Sequence, residues 1–355
     1  MAHTKEEGVK ASNQEFARYD QVKKEQVYGL SENEELDQFD DDYVIPTCNM
    51  ENYFSGGEEG KKLFAKELGQ AMEGIGFAVL TNHGVDTNLY QEAEKKVIEF
   101  FKSIPLEDRL KYTAKRHGSV NQGYFPIKET TNIHPDLVEG WVFCRRAFDL
   151  DDKPGYTEGE FWPEAGYQPF FKQIVQSHEK LILPIMQSIL AHLGCDAHLY
   201  DDKLTGTNFG FRLNYYPAMN NQSESGGRML GHEDVDLFTI LPAEEMGGLQ
   251  VLNRENMKWI HLNPPAGSII INTGDYMQRI TNDRLPSTTH RVSKPVDLKN
   301  LSKPRVSIPM AVYVWENETL DVLPCCGEPK YEPINAEEFH TRITSKYYGD
   351  DYAAK

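Results

Sequence analysis

Apolar positions are sparse over the first 42 residues and then fall into two rhythms. Residues 1–42 end in Glu34-Glu35-Leu36-Asp37-Gln38-Phe39-Asp40-Asp41-Asp42 and predict a mobile or surface-draped polar arm. Order is expected from Val44-Ile45-Pro46. Leu63/Phe64, Leu68, Ala71/Met72 and Ile75 then recur at helical spacing, with Gly74 and Gly76 suited to the helix end. A short strand, Phe77 to Leu80, and the turn Asn82-His83-Gly84 follow. Leu89/Tyr90, Ala93, Val97 and Phe100/Phe101 predict a second helix. Phe171, Ile174/Val175, His178, Leu181, Ile185 and Ile189 predict a third over 169–193, in which Pro184 should make a kink or break.

After residue 205 the period shortens. Runs at 207–216, 228–241, 248–252, 258–262, 268–273, 276–281, 287–292 and 305–315 alternate with Gly, Pro and Asn turns. Short strands at this spacing predict a jelly-roll sandwich. A last helical pattern, Phe339, Ile343 and Tyr347, could pack across its outside. The fold class expected is α+β and β-rich. Its parts are a polar arm (1–42), a helical N-terminal region (43–204), a β core (205–318) and a C-terminal tail with a helix (319–355), all in one compact unit.

Charge narrows the partners. The 355 residues carry 37 basic and 55 acidic side chains, a net charge of −18. Such a surface repels polyanions, so nucleic acid and anionic membranes are not expected partners. A small acidic ligand must find cationic side chains inside a pocket. The N-terminus lacks the apolar stretch of a secretory signal, and no run of about 18 apolar residues could span a bilayer. The five cysteines are odd in number and mostly dispersed, which predicts no disulfide scaffold, a reducing cytoplasmic setting, and buried or loop thiols at Cys325-Cys326. Oligomeric state is not legible.

Candidate chemistry lies in the β-rich half. In Gly231-His232-Glu233-Asp234, strand parity puts His232 and Asp234 on one face and Glu233 on the other. An imidazole and a carboxylate so placed form two-thirds of a facial triad, which leaves open positions on iron(II). His290, in Ser287-Thr288-Thr289-His290-Arg291-Val292, can supply the third ligand from another strand. Asp236 shares the parity of Asp234 and is a rival. Arg305 and Ser307 share a face too, and a guanidinium beside a hydroxyl can clamp a carboxylate. Arg212, Asn214 and Tyr216 form a third polar face. Arg212 should therefore point into the barrel. There it needs either a structural partner such as Asp236 or an acidic or strongly polar substrate group.

Taken in order, these residues resemble the iron(II)/2-oxoglutarate-dependent dioxygenases of the plant-type and isopenicillin N synthase-like superfamily. The resemblance runs from about Val44 to Tyr348. It rests on Gly76-Phe77, Asn82-His83-Gly84-Val85, Gly123-Tyr124, Asn214-Tyr215-Tyr216-Pro217, His232-x-Asp234, Gly248-Leu249-Gln250-Val251, Asn272-x-Gly274-Asp275, Ser287-x-x-His290-Arg291-Val292 and Arg305-x-Ser307. It implies a distorted double-stranded β-helix holding Fe(2+) through His232, Asp234 and His290. It also implies 2-oxoglutarate as cosubstrate, its distal carboxylate on Arg305 and Ser307 with help from Asn214 and Tyr216, and O2 as oxidant. Succinate and carbon dioxide would be released as an unactivated C–H bond of a small-molecule metabolite is oxidised by hydroxylation, desaturation or ring closure. His83 is expected to be a turn residue bonded to backbone.

Two alternatives stay open. His232-Glu233-Asp234-Val235, Tyr276-Met277 and Thr281-Asn282 also resemble isopenicillin N synthase itself, which uses no 2-oxoglutarate and holds its substrate's carboxylate with the Arg-x-Ser pair. The other alternative is a jelly-roll binding protein without catalysis. Loops around Tyr124, Phe143, Arg145 and Trp315 are expected to shape the pocket. The substrate itself is not legible.

Overall fold

A computed structural model describes residues 37–348 except 119, 128–136, 151–156, 220–227, 245 and 296. Most of the arm thus lies outside the described residues. Its end does not: Phe39 bridges to Trp259 and stacks on His261 with ring centroids 4.4 Å apart.

The three long helices of the N-terminal half follow the apolar pattern: α1 (Gly57–Gly74), α2 (Asn88–Ser103) and α3 (Tyr167–Leu193). The last of these runs unbroken through Pro184, whose carbonyl accepts a hydrogen bond from Ser188 Oγ at 2.7 Å. The strands are β1 (Thr47–Asn49), β2 (Phe77–Thr81), β3 (Lys115–His117), β4 (Val120–Phe125), β5 (Glu139–Cys144), β6 (Asn208–Tyr216), β7 (Met229–His232), β8 (Phe238–Pro242), β9 (Leu249–Asn253), β10 (Lys258–His261), β11 (Ile269–Thr273), β12 (His290–Val292), β13 (Arg305–Ser307) and β14 (Met310–Tyr313). They build a ten-stranded sheet in the order β1-β2-β11-β8-β14-β6-β5-β4-β3, with β13 also on β6, and a four-stranded sheet β10-β9-β12-β7. This is the two-sheet jelly roll that the spacing predicts.

Four expectations need correction. Residues 276–281 form no strand; Asp275–Ile280 is a short helix, α4. All six of its side chains are buried, so its sequence shows no polar face, and a short apolar run does not distinguish helix from strand. The run 228–241 is two strands separated by a loop, and 305–315 breaks at Ile308-Pro309, since proline cannot donate to the ladder. The N-terminal half is not helical alone. β2 pairs with β11, β5 pairs with β6, and the large sheet crosses the 204/205 boundary. Finally, Cys195 and Cys325 are disulfide-bonded, their Cα atoms 5.4 Å apart. Folding brings together residues 130 apart in sequence, which spacing could not show, so the cysteine count no longer speaks for a reducing compartment. Cys48, Cys144 and Cys326 are free and buried.

Alternation along β6 explains where the site lies. Phe209, Phe211 and Leu213 enter the larger core, shared with Leu68 and Met72 of α1, Phe100 of α2 and Ile185 of α3. Burying each such side chain contributes about 2 kcal/mol. The even-numbered Gly210, Arg212, Asn214 and Tyr216 face the barrel cavity instead. In β11, Ile269 and Ile271 join the helical core while Ile270 joins Val251 and Leu249 between the two sheets. A C-terminal helix, α5 (Ala336–Tyr348), buries Phe339 and Ile343. No helix among the described residues is long and apolar enough to cross a membrane.

Candidate metal centre

His232 closes β7 and is paired in register with His290, which opens β12. Their rings are 4.3 Å apart. Asp234 is two residues past the end of β7, in the loop before β8, so parity placed it correctly although the strand had already ended. Asp234 Oδ1 lies 3.7 Å from His232 Nε2 and 3.9 Å from His290 Nε2. One ligand atom from each of the three residues falls within 4.8 Å of the others, the only such cluster of histidine, cysteine or carboxylate groups among the described residues.

The supporting bonds decide which atoms remain free. Asp234 Oδ2 accepts from Thr239 Oγ1 at 2.7 Å and Asn272 Nδ2 at 2.8 Å, leaving Oδ1 toward the imidazoles. His290 Nδ1 bonds to the Thr288 carbonyl at 3.0 Å; it therefore carries the proton and leaves Nε2 as the lone-pair donor. Burial pushes the Asp234 carboxyl up, but His290, His232 and the bonds from Thr239 and Asn272 outweigh it and hold the group below its ordinary range. Asp236, the rival, is fully buried. Burial first, and the charge of Asp234 next, push its carboxyl well up. Thr239 Oγ1 is also 2.6 Å from Asp236 Oδ2. A hydroxyl has one proton, so it donates to Asp234 while accepting from a neutral Asp236. Asp236 supports the centre from behind. Two imidazole nitrogens and one carboxylate oxygen on one side of a cavity fit an iron(II) ion with positions left open.

The second and third polar faces meet. Arg305 pairs in register with Tyr216, and Ser307 with Asn214, across β13 and β6. Asn214 Nδ2 donates to Ser307 Oγ at 3.1 Å, and the Arg305 guanidinium lies 4.7 Å above the Tyr216 ring. Arg305 Nη1 and Asn214 Oδ1 are buried without partners. An unpaired buried donor costs about 1–3 kcal/mol, so this corner is built for an acceptor.

Both groups line a cavity of about 240 Å³ together with Arg212. Arg212 lies 5.5 Å from the Phe125 ring, and its Nε is buried without an acceptor. It packs flat on β5, where a Cβ at Gly140 would come within 2.7 Å of Nη2. No ion pair joins it to Asp236 among the described residues, so the structural partner offered for it is corrected: Asp236 faces Thr239 and the turn into α4.

The pocket expectation holds in part: the segments around Tyr124 and Phe143 do line the cavity, through Phe125 and Val142, but the four named side chains do not. Tyr124 and Phe143 are in the core, Arg145 pairs with Glu179, and Trp315 Nε1 donates to the Gly206 carbonyl at 3.1 Å. Their places are taken by Val120, Asn121 and Phe125 of β4, Val142 of β5, and His340 and Thr344 of α5. Sequence reading missed these because it did not find β4 and β5. It also missed Thr239 and Asn272, although Asn272 stands in a quoted motif. His83 behaves as expected, with Nε2 2.8 Å from the Gly267 carbonyl.

Comparison with known proteins agrees with this geometry. Residues 45–165 match a family model described as non-haem dioxygenase in morphine synthesis N-terminal, and residues 207–312 match the 2OG-Fe(II) oxygenase superfamily. A bi-functional coumaroyl CoA and feruloyl CoA ortho-hydroxylase of Ipomoea batatas is 28% identical over 82% of this chain and 78% of its own length. The 2-oxoglutarate-Fe(II) type oxidoreductase ppzC of Metarhizium majus is 29% identical over 84% of this chain and 86% of its own. Among solved structures, a full-length Neurospora crassa enzyme in complex with alpha-KG and thymine superposes with a TM-score of 0.76 at 25% identity, covering 86% of this chain and 97% of that one.

Proposed function

Since this chain belongs to the 2OG-Fe(II) oxygenase superfamily, we propose that His232, Asp234 and His290 hold its iron and that Arg305, Ser307, Asn214 and Tyr216 seat its 2-oxoglutarate. The enzyme oxidises a small-molecule substrate with O2 while 2-oxoglutarate is converted to succinate and carbon dioxide. The observation that carries the residue assignment is the partition of the Asp234 carboxylate: Oδ2 is tied by two hydrogen bonds and Oδ1 faces both imidazoles. Bound iron supplies the centre at which cosubstrate and oxygen react; the side chains around it orient and exclude. Asn272 and Thr239 fix the carboxylate, and Thr288 fixes the His290 tautomer. Arg305 and Ser307 would meet the distal carboxylate, and Tyr216 keeps the guanidinium flat.

Arg305→Lys keeps the charge but loses the planar fork. The apparent KM for 2-oxoglutarate should rise about tenfold or more, with kcat at saturation much less affected. Succinate should form in step with product. Product without succinate would instead support the isopenicillin N synthase-like alternative.

Arg212 bears on the substrate. The relatives' ligands differ in class, an acyl-CoA as substrate in one and thymine bound in another. The substrate reading for this chain therefore rests on its own cavity. There the guanidinium, without an acceptor on Nε, stands among Val120, Phe125 and Val142, which suits an apolar body carrying an acidic or strongly polar group. Arg212→Leu should raise the KM for substrate by about tenfold while leaving 2-oxoglutarate affinity nearly unchanged, with uncoupled succinate release persisting. Equal loss of both affinities would make Arg212 part of the cosubstrate site.

A further inference from the structure

Two cavities meet at Arg305. Beside the reaction cavity, a second of about 560 Å³ shares Arg305 and Ser307 and is walled by Tyr90 and Glu94 of α2 and by Glu244 after β8. Glu244 Oε2 lies 2.8 Å from Arg305 Nε. The Nε–H is aimed at the Gly247 carbonyl at 3.2 Å, so the carboxylate pairs with the guanidinium by charge, without an aligned hydrogen bond. A second guanidinium, Arg228, is 1% exposed. Its Nη1 donates to Met246 Sδ at 3.3 Å, while Nε and Nη2 have no acceptor. Among the described residues this corner thus holds two buried guanidinia, and Glu244 stands beside that of Arg305.

A carboxylate docking on Arg305 would stand across one guanidinium from Glu244, and two carboxylates so placed repel. We propose that Glu244 is a positioning residue for Arg305, holding its guanidinium in place and taking up a proton from solvent as the distal carboxylate of 2-oxoglutarate docks. The proposal rests on the reading of Arg305 and Ser307 as the cosubstrate clamp.

Electrostatics support this direction. Burial pushes the Glu244 carboxyl up to about 7; Arg305 pulls it down, Glu94 pushes it further up, and Arg228 pulls it down. Among the described residues, Tyr216 of β6 and Tyr90 of α2 are the other titratable groups facing this corner, and both have pKa values raised by burial, so they stay neutral. The wall from Leu262 to Gly267 carries no titratable side chain. A new negative charge raises the Glu244 pKa further. Binding therefore takes up a proton just above neutrality, and affinity for 2-oxoglutarate rises as pH falls toward about 7 and levels off below it.

The test is calorimetry of 2-oxoglutarate binding to enzyme saturated with manganese(II), without oxygen, in buffers of different ionisation enthalpy between about pH 6 and 8. Wild type should take up roughly half a proton or more per cosubstrate, and Kd should rise several-fold across that range. Glu244→Gln keeps an uncharged acceptor beside Arg305. It should lose this uptake, flatten the pH profile and bind several-fold more tightly at the alkaline end. Equal proton uptake in the two proteins overturns the proposal. Glu94→Gln, at an exposed position, provides a second measurement even if the first variant does not fold: its uptake maximum should move to lower pH, and an unmoved maximum also overturns the idea. If Arg305→Leu binds 2-oxoglutarate as wild type does, it is the clamp reading that fails.

Discussion

Asp234→Ala is expected to lower turnover by on the order of a thousandfold or more, equivalent to about 4 kcal/mol of transition-state stabilisation, and to lose most of its iron. The reason is the geometry of one oxygen. Among the described residues Oδ1 is the only anionic donor facing His232 and His290, and the alanine leaves two imidazoles, which by themselves hold a divalent ion weakly. The fold should survive. The variant loses a carboxylate held below its ordinary range and leaves the Asn272 amide without its acceptor, so the melting temperature should fall by a few degrees, less any relief of the neighbouring Asp236. Iron analysis of the purified protein and oxygen uptake with 2-oxoglutarate check this together. Full iron content with normal uptake would remove Asp234 from the centre.

Arg291→Met should have the largest effect on stability, about 3–5 kcal/mol in urea unfolding. Arg291 is the neighbour of His290 in β12, yet it does different work. It is 1% exposed, bonds Gln250 Oε1 at 2.7 Å, pairs with Asp37 at 2.7 Å and lies 3.9 Å over the Trp259 ring. Methionine fills similar space but takes the guanidinium away from the Asp37 carboxylate. The double variant Asp37→Asn with Arg291→Met should recover part of the loss. A cost below about 1 kcal/mol would mean that the pair contributes little, as exposed pairs do.

The site was more legible than its surroundings, for a physical reason. The proposed metal and anion ligands are polar residues at positions where the strand period calls for apolar ones, so His232, His290, Asn214, Arg305 and Ser307 stand out from the sequence. The register that sets Arg305 opposite Tyr216 cannot be read from spacing; parity together with the family resemblance singled out the residues. The cavity wall was hidden because β4 and β5 carry Gly, Asn, Gln and Trp with no clear alternation, and their burial comes from helices far away in sequence. Glu244 was hidden for the opposite reason. Pro242-Ala243-Glu244 looks like a solvated turn, and only α2 and β13 make it an interior group. The α4 segment was misread because a helix buried on every side has no polar stripe.

The pairing of β2 with β11 and of β5 with β6 has a consequence for aggregation. Both β11 and β6 sit inside the large sheet only because N-terminal strands cover one flank of each. A fragment starting near residue 205 would keep all three proposed iron ligands, yet it would bare two hydrogen-bonding edges. One would be Ile269-Ile270-Ile271, an apolar β-branched run with no charge or proline to deter another chain. The N-terminal half thus acts as a built-in guard against intermolecular strand addition as well as a wall for the cavity.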